Sequence, residues 1–175
     1  MLGKEVIIEP GYQELEDVLR QGDWQTADAI TFEIMLEKSQ RQREGWLDHA
    51  AIAQFPCSAL HQLDQRWLYY SGGQFGFSTQ LQLYREEAGR SAFTFSRQVG
   101  WTMSLWRPTG FFNFYPWLTF STEAPPGHLP ALWFWEMPWY RSWQVGGFGT
   151  GRGAGFGDAS LFDALMLRLE RCQQI

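Results

Sequence analysis

Signatures of covalent and metal chemistry are scarce in this sequence. Its two cysteines, Cys57 and Cys172, lie far apart and match neither a zinc pattern nor a C-x-x-C pair, so they read as buried, reduced thiols of a cytoplasmic protein. The three histidines, His49, His61 and His128, lack the i, i+4 spacing with which a helix presents a metal pair. No G-x-S-x-G elbow is present, and the reading is of a protein that is not an enzyme. Basic clusters are missing as well. A formal net charge of −5 repels a phosphate backbone and no Lys/Arg stripe overrides it, which argues against nucleic acid as a partner. The N-terminal MLGKEVIIEP lacks the apolar segment of a secretory signal, and the aromatic stretch from Leu129 to Tyr140 is broken by Pro130, Glu136 and Pro138. No membrane span is therefore predicted.

What is present is ordinary in bulk and unusual in one place. With 45% hydrophobic and 19% charged residues, the chain suits one globular domain over residues 1–175. Aromatic residues reach 17%, and seven of the ten tryptophans follow residue 100. A local need for broad, rigid, apolar side chains is implied in the C-terminal half.

Periodicity supplies the element order. Tyr12, Leu15, Val18 and Leu19 recur at helical spacing, and Gly22-Asp23 ends that helix and caps the next. The second helix runs to about Lys38, with Trp24, Ala27, Ile34 and Met35 as its apolar stripe and Asp23, Asp28, Glu33 and Glu37 as a solvated acidic side. After the polar SQRQREG loop, a short helix over 48–54 ends before Phe55-Pro56, because the residue preceding proline is pushed out of the α region. Ser58 then caps a helix that carries Leu60, Leu63, Trp67 and Tyr70 on one stripe and ends at Ser71-Gly72-Gly73. A tight turn over 74–77 leads to a helix as far as about Arg90, and another follows around Phe93 to Val99. Residues 101–120 are aromatic and proline-punctuated, with 118–120 extended, and 124–130 form an ordered turn. Asp158 or Ser160 caps a final helix with Leu161, Leu165 and Leu169 on one face and Arg168 and Arg171 near its C-terminal dipole. The sum is an all-α domain of about seven short helices, with a long loop before the C-terminal helix.

That loop, residues 131–157, is the first candidate for function, since structureless loops beyond about 15 residues are uncommon in compact domains. Trp133, Trp135, Trp139, Tyr140 and Trp143 are not left in water as a group, so its first half covers something apolar: the domain's own core, a ligand or a partner. Its second half, GGFGTGRGAGFG, has no G-x-G-x-x-G register and no G-K-[ST], and reads as a flexible hinge rather than a phosphate cradle. His128, between Gly127 and Leu129-Pro130, has two roles open to it, capping the turn or facing a pocket.

Five runs carry a family resemblance. Glu44-Gly-Trp-Leu-Asp48, Gln54-Phe-Pro-Cys57, Leu63-Asp-Gln-Arg-Trp67, Tyr70-Ser-Gly-Gly-Gln-Phe-Gly-Phe-Ser78 and Ala124-Pro-Pro-Gly-His-Leu-Pro130 together resemble the signature of the GUN4 (genomes uncoupled four) domain family. The resemblance covers about residues 11–130 and the last helix. It implies a cupped helical domain without enzymatic activity or a required cofactor, which binds protoporphyrin IX and Mg-protoporphyrin IX and, in some relatives, bilins. It also implies stimulation of magnesium chelatase, in chlorophyll biosynthesis, through the large porphyrin-binding subunit. The implied groove lies between residues 39–57 and 121–157. Carried onto this sequence, its ligand-binding candidates are Trp46, Phe77 and His128, with Trp101 as wall and Phe120 and Leu129 as floor. Trp133, Trp135 and Trp143 belong to the cover, and Arg41, Arg43, Arg141 and Arg152 are partners for the propionate arms. Core packing accounts equally well for Trp101, Phe120 and Leu129. The segment after the GHLP turn is more aromatic and glycine-rich than in the family, which marks a divergent paralogue. It keeps two other readings open: a bilin- or haem-related module outside the chelatase pathway, and a module without pigment whose Trp-rich loop docks on a protein or a membrane interface.

Overall fold

The turn at Gly22-Asp23 sets the first helical pair. Gly22 adopts a left-handed φ of 73°, ending α1 (Pro10–Gln21), and the Asp23 carboxylate accepts the Thr26 N–H at 3.1 Å to start α2 (Trp24–Lys38). The structure is a computed structural model that describes residues 10–103, 111–144 and 159–173. In it α2 is the central helix, buried on most of its circumference through Trp24, Ala27, Ile30, Phe32, Ile34, Met35 and Leu36. The expected solvated side is corrected at one position: Asp23, Glu33 and Glu37 are exposed, whereas Asp28 is fully buried.

The next helices follow local signals closely. Asp48 accepts the Ala51 N–H at 2.8 Å and starts α3 (His49–Ala53); α4 (Cys57–Tyr70) begins one residue before Ser58, with Pro56 at its N-cap. They continue into α5 (Phe77–Glu86) and α6 (Ala92–Gln98), the latter capped by Ser91 on the Thr94 N–H. Trp67 stacks on Trp24 at 6.0 Å, Phe75 meets both edge-on, and the fully buried Trp67 satisfies its indole N–H by donating to Thr31 Oγ1 at 2.9 Å.

The signature runs turn out to be structural joints. Asp64, on α4, accepts the Ser78 N–H at 2.8 Å and the Ser78 hydroxyl, capping α5 from a neighbouring helix, and Gly76 beside it sits at a φ of 136°. Gln74 donates to the Thr122 and Ala124 carbonyls and accepts the Gly127 N–H on its own carbonyl, while the Gly76 N–H donates to Leu129 O. Gln80, fully buried, donates to the carbonyls of Gly127 and Pro130. The runs 70–78 and 124–130 are thereby laced together by backbone groups that would otherwise be buried without partners.

The stretch expected as a long loop contains two short helices, α7 (Leu132–Trp135) and α8 (Trp139–Gln144), and a 3-10 turn occurs at Tyr115–Trp117. Residues 145–158, which include Arg152 and the whole of the glycine tract, lie outside the described residues. The last helix, α9 (Ser160–Cys172), packs Leu161, Phe162, Leu165, Met166 and Leu169 against α3, α4, α5 and α6. Ser160 does not cap it; its hydroxyl is hydrogen-bonded to His49 Nε2 at 2.8 Å, and Asp158 lies outside the described residues. Among the described residues there are nine α-helices and no strand, only an isolated bridge between Thr102 and Phe112, so the all-α expectation holds with more helices than the seven anticipated.

One expectation is overturned outright. Cys57 and Cys172 are joined in a disulfide, with Cα atoms 5.3 Å apart, and both residues are partly exposed rather than buried free thiols. At a sequence separation of 115 no spacing motif exists to be read; the docking of α9 on α4 is what brings them together. No helix among the described residues is long and apolar enough to cross a membrane.

Candidate ligand site

The tryptophan-rich segment divides in two, and Asp28 is the reason. Its carboxylate accepts the Ala131 N–H at 2.9 Å, the Leu132 N–H at 3.0 Å and the Tyr115 hydroxyl at 3.0 Å, so it caps α7 from α2. Burial pushes Asp28 up to about 7 against those three donors, and burial together with the neighbouring carboxylate raises the Tyr115 phenol. Docked in this way, α7 inserts Trp133, Phe134 and Trp135 into the core. Trp135 donates to Asn113 O at 2.9 Å; Trp133 stacks on Phe162 at 6.1 Å, its indole N–H buried without a partner among the described residues. Of the three things that the segment 133–143 could cover, its first half covers the domain's own interior.

The neighbouring candidates share that interior. Trp101 is fully buried, stacked on Phe134 at 5.4 Å, and donates its indole N–H to His128 O at 2.8 Å. Phe77 and Leu129 are fully buried too, and Phe120 is half-buried against Tyr115. His128 is a turn residue: Nε2 accepts the Thr119 N–H at 3.1 Å and Nδ1 is bonded to Val99 O, which places the proton on Nδ1. Burial lowers its pKa, so the ring is neutral, and both nitrogens are engaged. Among the described residues no group of three His, Cys, Asp or Glu side chains is placed to hold a metal ion.

Beyond Met137-Pro138 the chain returns to the surface. Trp139 and Trp143 are 62% and 63% exposed and Tyr140 is 47% exposed, an aromatic face on a helix of only six residues. From the same helix Arg141 reaches across to the loop after α2, where its guanidinium lies 5.5 Å from the Trp46 ring centroid; Arg41 lies 5.4 Å from the same ring. The two arginines differ in what else holds them. Arg41 is tied to Asp48 at 3.1 Å, to Glu44 at 3.8 Å and to Trp46 O at 3.3 Å, whereas Arg141 touches only Gln144 at 3.5 Å and has no acidic partner among the described residues. Arg43 is exposed in the same loop. Next to them, Lys38, Gln40, Arg41, Asp48 and Gln54 line a polar cavity of about 310 Å³ between the end of α2 and α3. Its size sits at the low end of the ~300–1,000 Å³ usual for small-molecule sites.

Of the sequence candidates, Trp46, Arg41 and Arg141 are thus brought together, and Trp143 is exposed on the helix that carries Arg141, while Phe77, Trp101, His128, Leu129, Trp133 and Trp135 are in the interior. Trp139 is exposed on that helix as well. No spacing rule connects Trp46 to Arg141, and only the implied groove placed both segments together.

A family model described as GUN4-like matches residues 8–144. A Ycf53-like protein of Synechocystis sp. is 34% identical over 129 residues, which is 69% of this chain and 51% of that protein. A ycf53 protein of Cyanidium caldarium, itself uncharacterized, is 27% identical over 123 residues, 69% of this chain and 50% of that one. The chain spans about half the length of the curated relatives it matches. Among solved structures, ligand-free GUN4 of Arabidopsis thaliana shares its fold with a TM-score of 0.64 at 21% identity, over 88% of this chain and 93% of that one. GUN4 from Chlamydomonas reinhardtii does so with a TM-score of 0.62 at 21% identity, over 95% and 92%. With the family model matched across residues 8–144 and a relative 34% identical, the chain belongs to the GUN4-like family.

Proposed function

We propose that this chain is a non-catalytic tetrapyrrole-binding accessory protein that takes protoporphyrin IX or Mg-protoporphyrin IX against Trp46 and the aromatic face of α8. On this reading it acts in chlorophyll biosynthesis by delivering or shielding pigment at the large subunit of magnesium chelatase, and it needs no resident cofactor. Membership of the GUN4-like family supports the reading. The observation that carries it is Arg141 beside Trp46, on the helix that exposes Trp139, Tyr140 and Trp143. A tetrapyrrole offers two apolar faces and carboxylate arms. Indole rings suit the faces, and a guanidinium without an acidic partner among the described residues suits a carboxylate. Clustered exposed aromatics are otherwise disfavoured on a monomer's surface.

The test is a titration of protoporphyrin IX, Mg-protoporphyrin IX and biliverdin into the full chain, followed by tryptophan fluorescence. Quenching by the first two is expected, with Trp46→Ala and Arg141→Gln each weakening binding about tenfold, the equivalent of roughly 1.4 kcal/mol. A response to biliverdin alone transfers the site to a bilin outside the chelatase pathway. Silence from all three rejects pigment binding. The exposed Trp139, Tyr140 and Trp143 would then favour the second reading, peripheral contact with a membrane interface, checked by co-sedimentation with lipid vesicles.

A further inference from the structure

The two ends of the disulfide sit in opposite electrostatic settings. Cys57 is the first residue of α4, a 14-residue helix whose N-terminal N–H groups favour a thiolate. Cys172 is the last residue of α9, at the negative end of its helix dipole. Both are partly exposed, and both line a cavity of about 260 Å³ together with Leu60, Leu169, His61 and Asp64.

We propose that the Cys57–Cys172 disulfide is a thiol–disulfide exchange site for a dithiol reductant, and that its reduction loosens α9 from the segment 49–57. The exchange has a preferred direction. One thiolate of the reductant attacks Cys172 Sγ; the Sγ–Sγ bond breaks and Cys57 Sγ leaves with the electron pair, as the better-stabilised thiolate. The reductant's second thiol gives its proton to solvent and attacks its own sulfur in the mixed disulfide, and Cys172 leaves as a thiolate that takes up a proton. Two electrons pass to the protein and the dithiol becomes a disulfide.

What the bond holds is specific. Beyond the disulfide, α9 is tied to the segment 49–57 by Arg168, which donates to Phe55 O at 2.8 Å, and by Ser160 on His49 at 2.8 Å. That segment supplies Ala50, Ala51, Gln54 and Pro56 to the cavity beside Arg41. Reduction removes the covalent tie and leaves only these exchangeable contacts and the apolar face of α9. Opening a loop with a sequence separation of 115 residues is expected to lower Tm by about 10–20 °C, from the loop-closure entropy and the usual Tm sensitivity of a chain this size.

The proposal is tested on the full chain with dithiothreitol, without denaturant. Intact mass after iodoacetamide trapping should show two alkyl groups added while the helical circular dichroism persists, and Tm should fall as stated. Limited reaction of the oxidised protein with reduced glutathione, followed by iodoacetamide trapping, should place the glutathione on Cys172 and the alkyl group on Cys57 in peptide maps. Hydrogen exchange should accelerate in 49–57 and 160–172 and not in α2. Absence of the bond in air-oxidised protein, reduction only once the chain is unfolded, an unmoved Tm, or glutathione held on Cys57 would each overturn the proposal. None of these readouts involves pigment, so they stand or fall apart from the ligand reading.

Discussion

Replacing Asp28 by asparagine isolates a carboxylate that is fully sealed inside the fold. Asp28 is 0% exposed and held at about 7, against an ordinary value of 3.8, because desolvation outweighs the donors from Ala131, Leu132 and Tyr115. A folded-state pKa above the unfolded one means that between pH 4 and 7 the native chain keeps a proton that the unfolded chain has released. Stability carried by this group is therefore complete below about pH 4 and is lost as pH rises to about 7. The shift of about three units corresponds to about 4 kcal/mol. Asparagine is neutral at every pH and cannot show this loss. Urea unfolding of both proteins, followed by far-UV circular dichroism from pH 4.5 to 8, should show the wild-type advantage over Asp28→Asn shrinking by up to that amount as pH rises, whatever the other carboxylates contribute to both. Asp28→Ala, which leaves three buried donors without an acceptor, should cost about 3–5 kcal/mol at pH 5. A difference between wild type and Asp28→Asn that stays constant across the range would refute the reasoning, since it would mean that the three donors keep the carboxylate ionised throughout.

The divided tryptophan segment makes a second prediction. Trp133→Ala should destabilise by about 3–5 kcal/mol in thermal or urea unfolding, as a fully buried indole, whereas Trp139→Ala with Trp143→Ala should leave stability within about 1 kcal/mol and weaken only pigment quenching. Gly76→Ala tests the joint between the signature runs: at a φ of 136° its Cβ would lie 2.9 Å from Asp64 Oδ1 and 3.3 Å from Leu68, so a loss of about 2–4 kcal/mol is expected in the same assay.

Most helices were legible because their ends are written locally. The Gly22-Asp23 pair supplies both a left-handed stop and a cap, and α2 has the bounds these residues predict; Asp48 and Ser91 start their helices in the same way. The ends of α7 are not written locally. It is four residues long, too short for a periodic stripe, and its cap is supplied by Asp28 across 103 residues. Trp133 and Trp139 belong to one aromatic stretch of sequence, and only the docking of α7 sends the first inward and leaves the second exposed. The signature motifs marked the family more than the site: Asp64 and Gln74 spend their hydrogen bonds on the fold, while Trp46 of the first run lies at the candidate surface.

Composition, caps and period determined on their own that the chain is helical, where its longer helices begin and end, and that tryptophan is concentrated where something apolar must be covered. Tertiary structure alone decided which indoles are core and which are surface, that Arg141 meets Trp46, and that Cys57 meets Cys172. The physical reason is range. A helix is selected by interactions over three or four residues, whereas burial, a remote cap and a disulfide depend on distances between segments that the chain order does not contain.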